Sequence, residues 1–428
     1  MTQIAISDSS APAHRGSEEF AHGAHASRRQ IVIALLFTAA VLFATLLFYA
    51  SGFDAVKRMD FATRYAAGRM VRQGRGAQLY DIEAQTLLQR DLFGRATPLL
   101  ELHPPFEALL YAPISSLPLV RSYLVWGVFN IALWMAAVYF LRASMAEPKR
   151  DFQFLAACFT FFPLWLALHG GQTSILLLLS YALTLFSWKR GREFGAGACL
   201  GLGLCKFQLV LPFAFICALR GKWKFIAGLA AVAATLVAAS FATVVPAGVA
   251  HYAELLIYTT RHPSDPAYSP VAVATMPTLK GFLSTVLGAA VAPLRISALV
   301  AAASIALLLY AAWRWRIEDR KPGGGAQDLM FAAALSASLL CGFYMFANDL
   351  STLLPAMLLA FGSTPWSWRS KWHMALGASA AALYLPFAYL LLSGRLFVLG
   401  PVMAIFTAAL FSLHSQVAPP KTSDYIVG

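Results

Sequence analysis

The amino-acid sequence predicts an all-α, polytopic membrane protein with about twelve transmembrane helices. Of its 428 residues, 59% are hydrophobic and only 12% are charged, and the mean hydropathy is +0.64. A soluble protein carries about 25% charged residues and does not sustain apolar runs such as Ile31 to Ala50. The net charge of +13 comes largely from basic clusters between apolar runs, which is a topology signal and argues against a nucleic-acid partner.

The apolar runs define the predicted helices in order. A spanning helix needs about 20 residues, and the clearest candidates are 31–50, 120–141, 153–169, 225–245, 294–313, 327–347 and 373–392. Shorter runs fill the gaps at 174–188, 195–206, 208–219, 350–361 and 396–412. Segments 106–117 and 279–291 are short and lie close to prolines, so we expect them to be re-entrant or interfacial.

The basic clusters predict the orientation of these helices. With all twelve runs as crossings, the clusters fall in short loops on one side, which is typical of cytoplasmic loops. Residues 1–30 are then a disordered cytoplasmic tail, residues 31–412 one transmembrane domain, and residues 413–428 a second cytoplasmic tail. The polar residues that interrupt apolar sequence all fall on the outside: Asp60, His103, Gln172, Lys206, Gln208, Asn348 and Asp349. Because the runs beside Lys206 are too short to span the hydrocarbon core, these polar junctions should line a water-filled recess.

The long outer loop, residues 51–119, is too long to be a simple connector. Helical spacing from Asp60 to Gln73 predicts an amphipathic helix on the membrane surface. Asp60 is placed to act as a general base, or it is an ordinary carboxylate paired with Arg64.

The remaining polar residues leave two interpretations each. Lys206 either binds an anion or extends to an interface. Gln172 is a site residue or part of a polar turn, His103 a site residue or a helix terminator, and Asp349 a ligand or a helix cap. In a second outer loop, 246–278, Arg261 and His262 are candidates for phosphate contact or carry no role.

Absent motifs limit the chemistry further. The sequence contains no GxxxxGK[ST] phosphate loop and no HExxH zinc motif, and it offers no pair of carboxylates at metal-ligand spacing. We therefore expect no cofactor and no metal. The five cysteines lie in apolar runs without CxxC spacing, so no disulfide framework is predicted.

Four ordered motifs carry a family resemblance. They are Met59-Asp60-Phe61 with Tyr65 and Gly76-Ala77-Gln78-Leu79-Tyr80; His103-Pro104-Pro105-Phe106; Gly170-Gly171-Gln172-Thr173-Ser174; and Gly203-Leu204-Cys205-Lys206-Phe207-Gln208. In this order and spacing, over about residues 31–390, the chain resembles glycosyltransferase family 87, membrane enzymes of the GT-C architecture that use polyprenyl-phosphate sugars.

The resemblance implies a GT-C-like helical bundle with a surface helix in the first outer loop. It implies inverting transfer of a mannose- or arabinofuranose-like sugar from a polyprenyl-phosphate donor to a hydroxyl of a glycan or glycolipid, on the non-cytoplasmic face of a bacterial inner membrane. Asp60 matches the family's catalytic base, and Lys206 would contact the donor phosphate, with Arg261 and His262 as further candidates. The other expected pocket residues are Arg64, His103, Gln172, Gln208 and Asp349.

Two departures leave the sugar and acceptor open. Met276-Pro277-Thr278-Leu279 stands where many members carry Asn-Gln-Ser, and Lys206-Phe207-Gln208 where many carry Lys-Pro-Gln. A lipid or sugar-lipid transporter (a flippase), or a non-catalytic scaffold subunit, would also have many spans. Transporters commonly have related halves, and this sequence shows no convincing internal repeat.

Overall fold

The structure is a computed structural model that describes residues 52–95, 97–145, 151–262, 265–268, 273–288, 290–318, 324–363, 366–386, 389 and 398–415. Within these residues all regular secondary structure is helical. The predicted first span, the N-terminal tail and residues 416–428 lie outside the described residues.

The main helices follow the apolar runs closely. Their bounds are Asp60–Arg72, Ile82–Phe93, Pro105–Tyr111, Leu119–Arg142, Asp151–Thr160, Phe162–His169, Ser174–Lys189, Glu193–Gly201, Phe207–Leu219, Trp223–Arg261, Leu279–Leu287, Pro293–Glu318, Gly324–Leu340, Leu354–Ser363, Lys371–Tyr384 and Leu399–His414. Short 3-10 helices precede several of them, including Leu204–Lys206 and Ala347–Leu353.

Three described helices are long and apolar enough to cross a membrane: Leu119–Arg142, Trp223–Arg261 and Pro293–Glu318. A fourth candidate is the pair Glu193–Gly201 and Leu204–Leu219, which is bent by 65° at its break. Lys206 lies close to this break, in the 3-10 turn Leu204–Lys206. These helices support an integral membrane protein, while the count of twelve crossings stays a prediction.

Prolines explain two differences from the predicted boundaries. The run 153–169 forms two helices that meet at Phe161, because Pro163 at the start of the second cannot donate a hydrogen bond to the first. The run 225–245 continues as helix to Arg261, although Val245 before Pro246 has non-helical dihedrals (φ 56°, ψ 169°). A proline is well accommodated in the first turn of a helix, so the predicted second outer loop begins as helix instead.

The helix Asp60–Arg72 forms close to its predicted bounds, but its environment differs from a membrane surface. Nine of its thirteen residues are buried by the rest of the chain. It packs against the helix Pro105–Tyr111, and Arg64 on it is 3% exposed. The reason is that Arg64 finds a buried carboxylate partner, Glu107, at 3.0 Å, which spacing along one helix does not reveal.

The segment Gly76–Tyr80 attaches the helices Asp60–Arg72 and Ile82–Phe93, which flank it in the chain, to the long helix Trp223–Arg261. A Cβ atom at Gly76 would lie 2.0 Å from the carbonyl oxygen of Thr243, so only glycine allows this approach. The hydroxyl of Tyr80 donates a hydrogen bond to the carbonyl oxygen of His103 at 2.6 Å. One end of this segment therefore packs on the long helix, and the other holds the loop containing His103.

Candidate active site

The turn from Gly170 to Ser174 lies at the centre of the candidate site. Gly171 has φ +60°, and a Cβ atom there would lie 2.8 Å from the Cβ of Phe61, so both the backbone conformation and the space require glycine. The indole of Trp126 donates to the Gly171 carbonyl oxygen at 2.9 Å, and the amide of Asn130 donates to that of Gln172 at 3.2 Å. The turn is thus fixed against the residue that follows Asp60.

Three consecutive side chains of this turn each reach a different carboxylate. The Gln172 Nε2 atom donates to Asp60, and the Thr173 hydroxyl donates to Glu107 Oε1 at 3.1 Å. The Ser174 hydroxyl donates to Asp349 Oδ1 at 2.6 Å. Three distant segments of the chain therefore meet at one tripeptide.

Arg64 fixes the orientation of the Gln172 amide. Its Nη2 atom donates to Gln172 Oε1 at 3.1 Å, and its Nε atom donates to Glu107 at 3.0 Å. Because a guanidinium can only donate, Gln172 must present its oxygen to Arg64 and its Nε2 to Asp60. Gln172 is therefore a positioning residue for the Asp60 carboxylate.

The His103 ring completes this network. Its Nε2 atom lies 3.0 Å from Arg64 Nη2 and must accept there, so the proton resides on Nδ1 and is donated to Glu101 Oε1 at 2.7 Å. Burial opposes the charged form of Glu101, but His103 and Arg64 outweigh it and hold the pKa of this carboxyl below its ordinary value. Since both ring nitrogens are hydrogen-bonded, His103 orients Arg64.

Lys206 and Asp349 form a second buried polar group. The Lys206 Nζ atom donates to Asp349 Oδ1 at 2.7 Å, and the two side chains are 4% and 2% exposed. Asp349 also accepts from the Phe346 backbone nitrogen at 3.0 Å and from Asn348 Nδ2 at 3.2 Å. Asp349 thus acts both as a cap of the 3-10 helix Ala347–Leu353 and as the partner of Lys206.

These groups line one cavity of about 660 Å³, within the ~300–1,000 Å³ typical of ligand pockets. Its polar lining comprises Asp60, Arg64, His103, Gln172, Lys206, Gln208, Asn348 and Asp349, with Thr259 and Thr260. Its apolar lining includes Leu211, Phe215, Ile305, Leu308 and Phe343. The polar residues that the sequence places on one side of the membrane therefore surround a single space.

Asp60 differs from the other carboxylates around this cavity. Asp349, Glu107 and Glu101 are each 5% exposed or less, and each contacts a Lys, Arg or His side chain. Asp60 is partly exposed and makes no ion pair with any residue that the structure describes. Gln172 donates to one of its carboxylate oxygens, and no described residue donates to the other, so Asp60 can serve as a general base toward a group bound in the cavity.

Arg261 and His262 lie at the C-terminal end of the helix Trp223–Arg261, and both are exposed. The His262 ring stacks on Tyr258, with ring centroids 4.5 Å apart. Neither residue lines the cavity; the adjacent Thr259 and Thr260 do. Their contact with phosphate stays a prediction.

Sequence reasoning missed three residues around this site: Glu101, Glu107 and Lys280. The two glutamates lie in the long loop 51–119, and nothing in the sequence distinguishes them, yet they anchor Arg64 and His103. Lys280 lies over Phe343 and Tyr344 of the cavity wall. A lysine inside a segment predicted to be re-entrant was the available signal, since cations there are costly and often functional.

The role of Gln172 is testable. We expect Gln172→Met to keep the fold and to lower kcat about 10- to 100-fold, the range found when groups supporting a reactive residue are removed, because Asp60 loses the group that orients it. The measurement is the steady-state reaction rate of the variant and of the wild type, and thermal unfolding of the same preparation checks the fold. Undiminished kcat in a folded variant would contradict the positioning role.

The fold and the site are those of an integral membrane protein whose helices enclose a cavity lined by polar and apolar side chains. Among the lining residues that the structure describes, Asp60 is the one carboxylate that is partly exposed. A sequence model of glycosyltransferase family 87 matches residues 102–346, more than half of the chain. The protein belongs to glycosyltransferase family 87. No curated protein matches the chain, and no solved structure matches it either.

Within the described part of the chain, no group of three or more His, Cys, Asp and Glu side chains is arranged to hold a metal ion. The matched segment begins at residue 102, so it includes His103, Gln172, Lys206 and Gln208 but not Asp60. Asp60 is therefore assigned to the site from the cavity geometry and from the motif around it.

Proposed function

We propose that the protein is an inverting glycosyltransferase that moves a sugar from a polyprenyl-phosphate donor to an acceptor hydroxyl on the non-cytoplasmic face of the membrane. The observation that carries this proposal is one cavity lined both by Asp60 with other polar groups and by apolar side chains. Family membership supplies the reaction type, glycosyl transfer.

The apolar groove supports a lipid-linked donor. Leu211 and Phe215 on the helix Phe207–Leu219 line the cavity and are 50% and 42% exposed, and Ile305 on Pro293–Glu318 is 53% exposed. Exposed apolar side chains that continue from a polar cavity to the outer faces of membrane helices are suited to contact acyl or prenyl chains. A nucleotide sugar carries no long apolar chain that such a groove could bind.

Helix direction supports the proposed side of the membrane. Helices Ser174–Lys189 and Phe207–Leu219 begin beside the candidate site, and Leu119–Arg142 contacts it through Trp126 and Asn130 in its first half. All three end at or next to basic residues, namely Lys189, Arg220 and Arg142. Basic residues favour cytoplasmic ends. The opposite ends, which hold the cavity, are then on the non-cytoplasmic side.

The proposed chemistry is a single displacement at the anomeric carbon. The acceptor oxygen attacks this carbon, its proton passes to Asp60, and the bond from the anomeric carbon to the phosphate oxygen breaks so that polyprenyl phosphate leaves. Charge on the leaving phosphate needs a cation near it. Gln208 and Asn348 line the cavity and are partly exposed, so they are candidates for sugar hydroxyl contacts.

The sugar and the acceptor can be specified further. We propose a mannose- or arabinofuranose-like sugar and a glycan or glycolipid acceptor in a bacterial cell envelope. The test supplies the purified protein, in phosphatidylcholine nanodiscs, with radiolabelled polyprenyl-phosphate mannose, polyprenyl-phosphate arabinose and the corresponding nucleotide sugars, each with a panel of glycolipid acceptors.

We expect label to pass to an acceptor from a polyprenyl-phosphate sugar only, with inverted anomeric configuration by NMR. Transfer from a nucleotide sugar alone would contradict the donor class. Sealed vesicles provide the matched test of the flippase alternative: movement of the lipid-linked sugar between leaflets without covalent transfer would replace the proposed function.

A further inference from the structure

The two cations that line the cavity are already neutralised. Arg64 contacts Glu107 and Lys206 contacts Asp349, at 3.0 Å and 2.7 Å. With Asp60 and the buried Glu101, carboxylates around the cavity outnumber these two cations. A phosphate placed beside Arg64 and Lys206 would be repelled by the excess of carboxylates, and this repulsion is strong because the dielectric constant is low there.

Lys280 is a cation of a different kind. It lies on the helix Leu279–Leu287, and its Nζ atom is 3.6 Å from the ring centroid of Phe343 and 4.2 Å from that of Tyr344. Both rings line the cavity. Lys280 makes no ion pair or hydrogen bond with any residue in the described ranges, so its three N–H donors stay available.

The surroundings of Lys280 make an anion favourable there. Burial among apolar groups lowers the pKa of the Lys280 ammonium to about 8, since no carboxylate compensates its charge. Contact with the faces of Phe343 and Tyr344 offsets only part of the lost hydration. A phosphate oxygen would supply both the missing charge and the missing acceptors.

Resting on the proposed function, we propose that Lys280 binds the phosphate of the lipid donor and of the lipid phosphate released. The acceptor hydroxyl then binds beside Asp60, and the sugar lies between Asp60 and Lys280. Lys280 then makes the contact with the donor phosphate that the family resemblance implies for Lys206, with Arg261 and His262 as further candidates. Lys206 instead holds the Asp349 carboxylate.

The test measures binding, so it does not depend on knowing the sugar or the acceptor. The full-length protein in phosphatidylcholine nanodiscs is titrated with farnesyl phosphate and, separately, with farnesol, with tryptophan fluorescence as the signal. For Lys280→Gln we expect about a 10- to 100-fold loss of farnesyl phosphate affinity, the factor that one hydrogen bond to a charged group provides, and unchanged farnesol binding. Unchanged farnesol binding also shows that the groove has kept its shape.

Lys280→Arg should keep most of the phosphate affinity, because an arginine retains the charge and stacks well on aromatic rings. Arg295→Gln removes an exposed charge from the next helix and should leave both affinities as in the wild type. If Lys280→Gln binds farnesyl phosphate like the wild type, or if Arg261→Gln alone loses it, the Lys280 proposal is wrong. If the wild-type protein binds farnesol but not farnesyl phosphate, both this proposal and the polyprenyl-phosphate donor are wrong.

Discussion

Replacing Asp60 with asparagine should abolish glycosyl transfer, with kcat falling about 100- to 10,000-fold, the contribution typical of a general base. The amide can still accept the hydrogen bond from Gln172, so the local geometry is kept while the proton acceptor is lost. None of the other carboxylates around the cavity replaces it, because Asp349, Glu107 and Glu101 are buried in contact with cationic or histidine side chains. The measurement is transfer of labelled sugar under single-turnover conditions.

The matched control for this prediction is Asp91→Asn. Asp91 is an exposed carboxylate on the neighbouring helix Ile82–Phe93 and does not line the cavity, so the chemical change is identical and the cavity is untouched. We expect its kcat to match that of the wild type. Asp60→Asn with wild-type kcat, in a preparation that unfolds at the wild-type temperature, would remove Asp60 from the mechanism.

Much of this site follows from sequence because charge asymmetry sets topology. Once the basic clusters are assigned to one side, the helix ends that carry Asp60, Gln172, Lys206 and Asp349 must share the other. Helices cross the membrane close together, so polar groups at the same depth tend to meet. The structure places all four residues around one cavity.

The pairing of these residues could not be predicted in the same way. The predicted depth in the membrane indicates which residues lie at the same level, but not which of their side chains contact one another. Asp60 and Arg64 lie one turn apart on the same helix, so their spacing alone allows them to pair, yet Arg64 contacts Glu107 of the helix Pro105–Tyr111 instead. The structure after Val245 could not be predicted either, because Pro246 indicates a break in the helix but not whether the helix resumes after it.

The environment of Lys280 shows a further limit. The sequence places a lysine at the start of a short apolar segment, and this is compatible with a residue that extends to the interface. Its contact with Phe343 and Tyr344 joins segments more than sixty positions apart. Such a contact appears only once three-dimensional packing is known.

The second large effect concerns stability. Lys206→Met should lower the free energy of unfolding by about 3–5 kcal/mol, the cost of leaving a buried charge without its partner. Asp349 is 2% exposed, and its remaining partners, including Ser174 and the Phe346 backbone nitrogen, are neutral donors that cannot balance its charge. The measurement is unfolding of the protein in detergent, followed by tryptophan fluorescence against temperature and denaturant.

A matched pair elsewhere in the chain separates burial from charge. Lys222 contacts Glu193 at 2.9 Å, with 26% and 31% exposure, so Lys222→Met should cost only about 1 kcal/mol or less. Adding Asp349→Asn to Lys206→Met removes the stranded charge and should restore part of the lost stability, giving a coupling free energy that a double-mutant cycle measures. If Lys206→Met and Lys222→Met were equally mild, the Lys206–Asp349 pair would not be the structural link between the turn at Ser174 and the 3-10 helix Ala347–Leu353, and Lys206 would again be available to bind phosphate.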